Sequence, residues 1–144
     1  MTVPEIELAA GYLVKRVQHS FRRHSDAALQ AVGVSMAQYA VLRALADHPD
    51  ASAAELARLC FVTRQSLGDV LAVLRTAGLV ETADVPPRGR AQALQLTAKG
   101  RAAVTSADQA VKAVDAAMTE GLSKADRRQL TAMLTRCAEN LESC

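Results

Sequence analysis

The sequence predicts a mainly α-helical chain with one small β-hairpin: a winged helix-turn-helix, with terminal helices that form a dimerisation region. Three observations predict it. About one residue in five is alanine, the residue with the highest helix propensity. Apolar residues recur at three- and four-residue spacing along most of the chain, the period of a helix face. That period breaks once. Leu79–Ala83 reads as a strand, and Gln92–Leu96 alternates polar and apolar residues as a half-buried strand does.

The elements follow in order. Pro4 suits a first helical position, and Glu5 and Glu7 oppose the helix dipole in the first turn. Ile6, Leu13, Val17, Phe21 and Ala28 then recur at helical spacing, so residues 4–31 form one long helix that Gly33 stops. Ser35 and Gln38 have capping-box form ahead of a second helix with the stripe Tyr39, Leu42, Leu45 and Ala46, closed by Pro49. Ser52 and Glu55 make a second capping box before a short third helix with Leu56, Leu59 and Cys60 inward. Phe61-Val62 is a turn, and Thr63 caps a fourth helix that buries Leu67, Val70, Leu71 and Leu74 and stops at Gly78.

The hairpin comes next, with Asp84–Arg90 as its basic tip. Thr97 caps a helix carrying Ala103, Ala107, Ala110, Val111, Val114 and Met118. After Gly121, Ser123–Asp126 starts a last helix with the stripe Leu130, Met133, Leu134, Cys137 and Leu141. The tight turn between the third and fourth helices, followed by a hairpin, is the winged helix-turn-helix pattern. It assigns residues 33–97 to DNA binding, and 1–32 and 98–144 to dimerisation. The terminal helices have apolar stripes and no sheet to cover, so two copies exchanging them complete the core.

Composition excludes other classes. At 144 residues, 50% of them hydrophobic, the chain suits one compact domain, or a domain completed by a second copy. No apolar run approaches the ~20 residues that span a bilayer. The first residues carry acids in place of a secretory leader's basic start. Three scattered cysteines do not make a disulfide framework, which points to a reducing cytoplasm. There is no glycine-rich phosphate loop, nucleophile elbow or metal motif, so neither an enzyme nor a cofactor or metal is expected. His19 and His24 are five apart and do not share a helical face. The net charge is +2, but residues 51–101 hold seven basic and four acidic side chains, a local balance of +3. Doubled in a dimer, this is a modest footprint for nucleic acid.

The ordered set Leu56-Ala57, Leu74, Gly78-Leu79-Val80, Arg90, Leu96-Thr97 and Gly100 resembles the MarR family of bacterial transcription regulators, and the likeness runs from the first helix to the last. It implies a two-fold dimer held by its terminal helices, with residues 63–77 as recognition helix in the major groove and 84–91 as wing tip at the minor groove. The residues agree with that assignment. Opposite the buried stripe the fourth helix presents Gln65, Asp69, Ala72 and Thr76, small or polar groups that let it lie deep in a groove roughly 12 Å wide. Thr63, Arg64, Gln65 and Ser66 stand at its N-terminal end, where base edges are met. Gln65 suits adenine and Arg64 a phosphate. Arg88 and Arg90 lie on a loop stiffened by Pro86-Pro87, suited to a narrow, negative minor groove. Two positions depart from the family pattern. Arg88 stands where the pattern commonly has an aspartate that orients the wing arginine. Asp69 stands where it commonly has a basic or neutral residue; it either accepts from cytosine N4 or binds Gln65 or a nearby arginine.

The expected function is a cytoplasmic homodimeric regulator, a repressor on an inverted-repeat operator in double-stranded DNA. The resemblance implies release by a small aromatic or phenolic acid held between the dimerisation region and the winged domain, with His19, Arg22, Arg23, Tyr39 and Arg43 as polar candidates and arginine suited to a carboxylate. Two other readings are a redox regulator acting through Cys60 and a protein-binding winged-helix adaptor without DNA binding. Cys60 also fits a buried structural thiol, and Cys137 fits packing at the dimer interface.

Overall fold

The computed structural model describes residues 2–83 and 94–144. The chain divides into two compact units, residues 1–114 and 115–144. The first opens with a 3-10 turn, Glu5–Leu8, followed by α1 (Ala10–Leu29), α2 (Met36–Asp47), α3 (Ala53–Leu59), α4 (Arg64–Thr76), β1 (Val80–Thr82), β2 (Leu94–Leu96) and most of α5 (Ala98–Met118). The second holds the end of α5 and α6 (Lys124–Glu142).

Side-chain caps fix most of the helix starts. Ser35 accepts the Gln38 N–H at 3.1 Å, and Gln38 Oε1 accepts the Ser35 N–H at 3.0 Å, so both halves of the capping box form. Ser123 and Asp126 repeat it at 3.0 Å each way. At Ser52 only the first half forms: its oxygen accepts the Glu55 N–H at 3.2 Å, but its hydroxyl donates to Glu55 Oε1 at 3.1 Å. That bond engages the glutamate that the expected reciprocal box needs. Thr97 Oγ1 accepts the Gly100 N–H at 3.0 Å and starts α5.

The core of the first unit lies where α2, α3 and α4 meet the hairpin base. Leu29 from α1, Val41, Leu42 and Leu45 from α2, Leu56 from α3, Leu67 and Leu74 from α4, Val80 and Leu96 from the strands, and Val104 and Ala107 from α5 are all buried. The strands pair antiparallel with Val80 opposite Leu96, Glu81 opposite Gln95 and Thr82 opposite Leu94. Four bonds tie the hairpin base to its flanking helices. The Thr97 N–H donates to Leu79 O at 3.1 Å. Thr97 Oγ1 donates to Gly78 O at 2.6 Å, Lys99 Nζ to Ala77 O at 3.0 Å, and Arg101 Nη1 to Leu96 O at 3.0 Å. Gly100 is needed there because a Cβ at that position would lie 2.1 Å from Leu79 O.

Several expectations are corrected. The first helix is not continuous from residue 4. Ala9 is extended (φ −68°, ψ 140°) and separates the 3-10 turn from α1; no residue of that turn is buried, so packing does not hold it in an α-helix. In α2 the buried set is Val41, Leu42 and Leu45, with Ala46 exposed. The helix face is turned toward Val41, the larger apolar side chain. In α3 Leu59 is exposed, and Ala57 is buried in its place. Over two turns Leu56, Ala57 and Cys60 fall on one side, at steps of one and four residues. The first strand is shorter than expected, β1 spanning three residues of the expected 79–83, while of the second expected strand Leu94–Leu96 forms β2 and positions 92 and 93 lie outside the described residues.

The apolar stripe of α1 is exposed over its first turns, with Tyr12, Leu13, Val14 and Val17 open to solvent, and only Ser25 and Leu29 of this helix are buried. In the second unit α6 has no buried residue, and Met133, Leu134 and Leu141 are exposed. Cys137, expected to pack at the interface between two copies, is exposed in the single chain, as that role requires of a lone copy. Among the described residues no helix is long and apolar enough to cross a membrane, and no group of three metal-binding side chains gathers.

Candidate nucleic-acid interface

Helix α4 divides into two faces. Leu67 and Leu74 are buried and Val70 and Leu71 half-buried, while Arg64, Gln65, Ser66, Asp69, Ala72 and Thr76 are exposed. The sequence periodicity requires this division. A helix that gives one face to the core presents the side chains about half a turn away to solvent.

At the start of α4, Thr63 is the N-cap. Its Oγ1 accepts the Ser66 N–H at 3.0 Å and donates to Ser66 Oγ at 3.0 Å. Thr63 is therefore engaged locally, whereas the Ser66 hydroxyl keeps its own hydrogen to donate outward. Arg64, Gln65 and Asp69 are exposed beside it, and no hydrogen bond links them to one another among the described residues. Further along, Ala72, Val73, Thr76 and Ala77 line an open depression of about 400 Å³. The outer face is thus shallow and lined by small groups toward its C-terminal end. Arg88 and Arg90, the expected wing contacts, lie outside the described residues.

The expected effector residues fall into two groups. Tyr39 and Arg43, one turn apart on α2, meet on a carboxylate that sequence reasoning missed, Asp108 of α5. Tyr39 Oη donates to Asp108 Oδ1 at 2.5 Å and Arg43 Nη1 to Asp108 Oδ2 at 2.6 Å. Arg43 also forks onto Asp47, with Nε 3.0 Å from Oδ2 and Nη2 bonded to Oδ1. Burial, and then the Asp108 hydrogen bond and charge, push the Tyr39 phenol up to about 12. The Arg43 bond holds the Asp47 carboxyl below its usual range. The sequence did carry a signal for Asp108: it lies four residues after Val104 and three before Val111, inside the apolar stripe of α5. An acid at such a position needs a partner.

His19, Arg22 and Arg23 form the second group, exposed on α1. Arg22 Nε lies 4.0 Å from Asp26, whose Oδ1 accepts the Met36 N–H at 2.8 Å and caps α2 from outside. No hydrogen bond or ion pair among the described residues joins this group to Tyr39 or Arg43. Cys60 is half-buried, and burial pushes its thiol up. A raised thiol is a poor nucleophile, so this environment fits packing better than redox chemistry.

A family model described as the MarR family matches residues 32–91. The HTH-type transcriptional repressor Rv2887 of Mycobacterium tuberculosis is 36% identical over 126 residues, spanning 88% of this chain and 91% of that protein. A putative transcriptional regulatory protein for the hcr operon of Thauera aromatica is 30% identical over 127 residues, 88% of this chain and 76% of that one. Among solved structures, the M. tuberculosis MarR family protein Rv2887 in complex with salicylic acid matches with a TM-score of 0.75 at 36% identity, over 90% of this chain and 96% of that chain. The same protein in complex with DNA matches with a TM-score of 0.73 at 35% identity, over 90% and 97%. The transcriptional repressor CouR bound to a 23-mer DNA duplex matches with a TM-score of 0.84 at 28% identity, over 96% and 98%. Winged-helix neighbours and repressor relatives agree with the helix-turn-helix and hairpin described above, and with a regulator in place of an enzyme. The chain belongs to the MarR family.

Proposed function

We propose that this chain is a cytoplasmic homodimeric repressor that reads an inverted-repeat operator with α4 and is released by an aromatic or phenolic acid. The observation that carries the reading is the first turn of α4. Arg64, Gln65 and Ser66 are open to solvent while Leu67, immediately after them, anchors the helix in the core. A helix held rigidly by one face, with a small and polar opposite face, is shaped for a major groove. Gln65 pairs with adenine, Arg64 and Ser66 reach phosphates, Asp69 accepts from cytosine, and Thr63 sets the helix start. Arg88 and Arg90 on the wing supply contacts in the minor groove. Relatives crystallised on DNA support the assignment.

Two copies join through the exposed apolar stripes of α1 and α6, so that residues 1–32 and 98–144 serve dimerisation and 33–97 DNA binding. Such stripes are costly to leave in water, and two identical reading heads require two identical half-sites. For the effector, Arg43 and Tyr39 offer a cation and a phenol that already hold a carboxylate, with His19, Arg22 and Arg23 of α1 as further polar candidates. The salicylic acid complex of Rv2887 supports an aromatic acid as the class.

The test is a fluorescence-anisotropy titration of the protein on a duplex it selects from a random-sequence pool, with and without salicylate. The reading requires salt-dependent binding to a palindromic site and weakening by salicylate. Failure to select any palindrome refutes the DNA reading, and binding indifferent to salicylate and related acids refutes the effector.

A further inference from the structure

Phe61 stands in the turn between α3 and α4 with φ +58°, the one non-glycine residue in the left-handed region among the described residues. The conformation closes α3. The Phe61 N–H donates to Arg58 O at 3.2 Å and the Val62 N–H to Ala57 O at 3.0 Å, the two-bond helix ending that ordinarily places glycine at this position. Gly33, Gly78 and Gly121 take the left-handed conformation elsewhere in the chain. A side chain there crowds its own backbone, and a large apolar one is usually retained because it fills a core. This ring does not, being 90% exposed, more than any other exposed large hydrophobic residue described.

The fold therefore gains neither an easy backbone nor burial from Phe61. Glycine would serve the turn better on the first count and at least as well on the second. Strain held at an exposed position points to work done at the surface. Two residues further on, Thr63 caps α4, and Arg64, Gln65 and Ser66 lie open in its first turn. Phe61 thus precedes by two residues the cap at the end of α4 that meets the bases when this helix reads DNA, and its ring is open to solvent.

We propose that Phe61 is an apolar reader of DNA, its ring packing on a thymine C5-methyl at the edge of the major groove beside the start of α4. The inference rests on α4 being the DNA-facing helix. The thymine methyl is the apolar group that base pairs present in that groove, and uncharged aromatic carbon suits it where it would not suit a phosphate.

The experiment compares the wild type with Phe61→Gly and Phe61→Leu on a duplex selected by the wild type from a random-sequence pool. Glycine removes the crowding, so the melting temperature holds or rises. Affinity falls roughly five- to tenfold, the size expected when a single interaction with a base edge is removed. The slope of affinity against salt is unchanged, because every phosphate interaction remains. Leucine keeps apolar bulk and most of the affinity. Replacing each thymine in turn by deoxyuridine weakens the wild type at one position per half-site and leaves Phe61→Gly indifferent at that position. A Phe61→Gly protein that binds as tightly as the wild type overturns the proposal. So does a lower melting temperature, which would make the ring structural, or a weakened dimer, which would make it a contact between copies. A deoxyuridine series with no methyl-sensitive position also overturns it. If the wild type selects no duplex, the reading of α4 fails and this inference with it; equal binding by the wild type and Phe61→Gly sinks this inference alone.

Discussion

Asp108→Asn replaces a carboxylate with a neutral group of the same shape at the point where α2 is tied to α5. Two bonds are affected, from Tyr39 Oη at 2.5 Å and Arg43 Nη1 at 2.6 Å. A hydrogen bond to a charged group contributes about 1.5–3 kcal/mol when well buried. The Asp108 side chain is 26% exposed and that of Arg43 37%, so solvent screening reduces the Arg43 bond to the range of a partly exposed pair, ~0.5–1 kcal/mol. Arg43 keeps Asp47, and the amide keeps an acceptor oxygen for the phenol. The substitution is therefore expected to destabilise by about 1–2 kcal/mol, with a melting temperature lower by roughly 3–6 °C. Urea denaturation of the wild type, Asp108→Asn, Tyr39→Phe and the double variant measures it. The cycle is expected to show a coupling of about 0.5–1.5 kcal/mol between the two residues. Additive losses would mean that the bond carries no energy, and that the reasoning is wrong. Titration with base gives an independent check. The phenol is raised from 10.0 to about 12 in the folded chain, so its stabilisation is complete below pH 10 and is lost as the pH rises toward about 12. In Asp108→Asn, monitored by tyrosine absorbance, that step moves back toward 10 without reaching it, because burial is the larger cause and remains.

Gly100→Ala places a Cβ against the Leu79 carbonyl, which also accepts the Thr97 N–H. Since the obstacle is backbone, the hairpin base must shift, and a loss of about 2–4 kcal/mol is expected in denaturant; wild-type stability would contradict the close approach. Gln65→Ala is expected to lose about 1–3 kcal/mol of discrimination at particular base pairs, whereas Arg90→Ala should weaken all sequences alike and flatten the salt slope by about one phosphate's worth. Quantitative binding to a set of mutated duplexes separates the two patterns, and identical profiles would refute the division of roles. Removing residues 123–144 deletes the stripe of Met133, Leu134 and Leu141; sedimentation should then show the dimer abolished, and a truncated chain that still sediments as a dimer would exclude α6 from the interface.

Local chemistry made most of the fold readable. Ser35, Thr63, Thr97 and Ser123 mark helix starts through bonds that reach only three residues ahead, and Gly33 and Gly78 mark ends through their own backbone freedom. Such signals are complete within a few residues and need no partner. The errors arose where a face is chosen by distant contacts. Leu59 and Ala57 share a two-turn helix, and only the packing of α3 against α2 and α4 decides that the smaller side chain goes inside. Likewise, Ala9 breaks the first helix where no residue of Glu5–Leu8 is buried in a core. The outward side of α4 was legible because it is the complement of a regular buried stripe. The Asp108 cluster was not, because its members are about 65 residues apart in the chain and no local rule pairs them. Phe61 read as a plain turn because composition alone does not reveal a positive φ.

If an acid effector binds at Arg43, as proposed above, the Asp108 cluster limits how it acts on α4. Helix α2 packs on α1, α3, α4 and β2, and through Tyr39 and Arg43 it holds the carboxylate of α5. A displacement at this cluster would therefore act directly on the element that supports α4. The position is already filled by an internal carboxylate, which is held at the site by its own backbone. A free acid competing for Arg43 must give up translational freedom that Asp108 has already lost in folding. Charge alone then does not favour the newcomer, since it exchanges one carboxylate for another. Its advantage has to come from apolar surface, which Asp108 lacks and an aromatic ring supplies. A ligand shifts an equilibrium only by its difference in affinity for the two states, so on the proposed reading the ring of an aromatic acid would set the strength of release and its carboxylate the place. Aliphatic acids of the same charge should be far weaker effectors than salicylate, whatever the affinity of the isolated arginine for carboxylates.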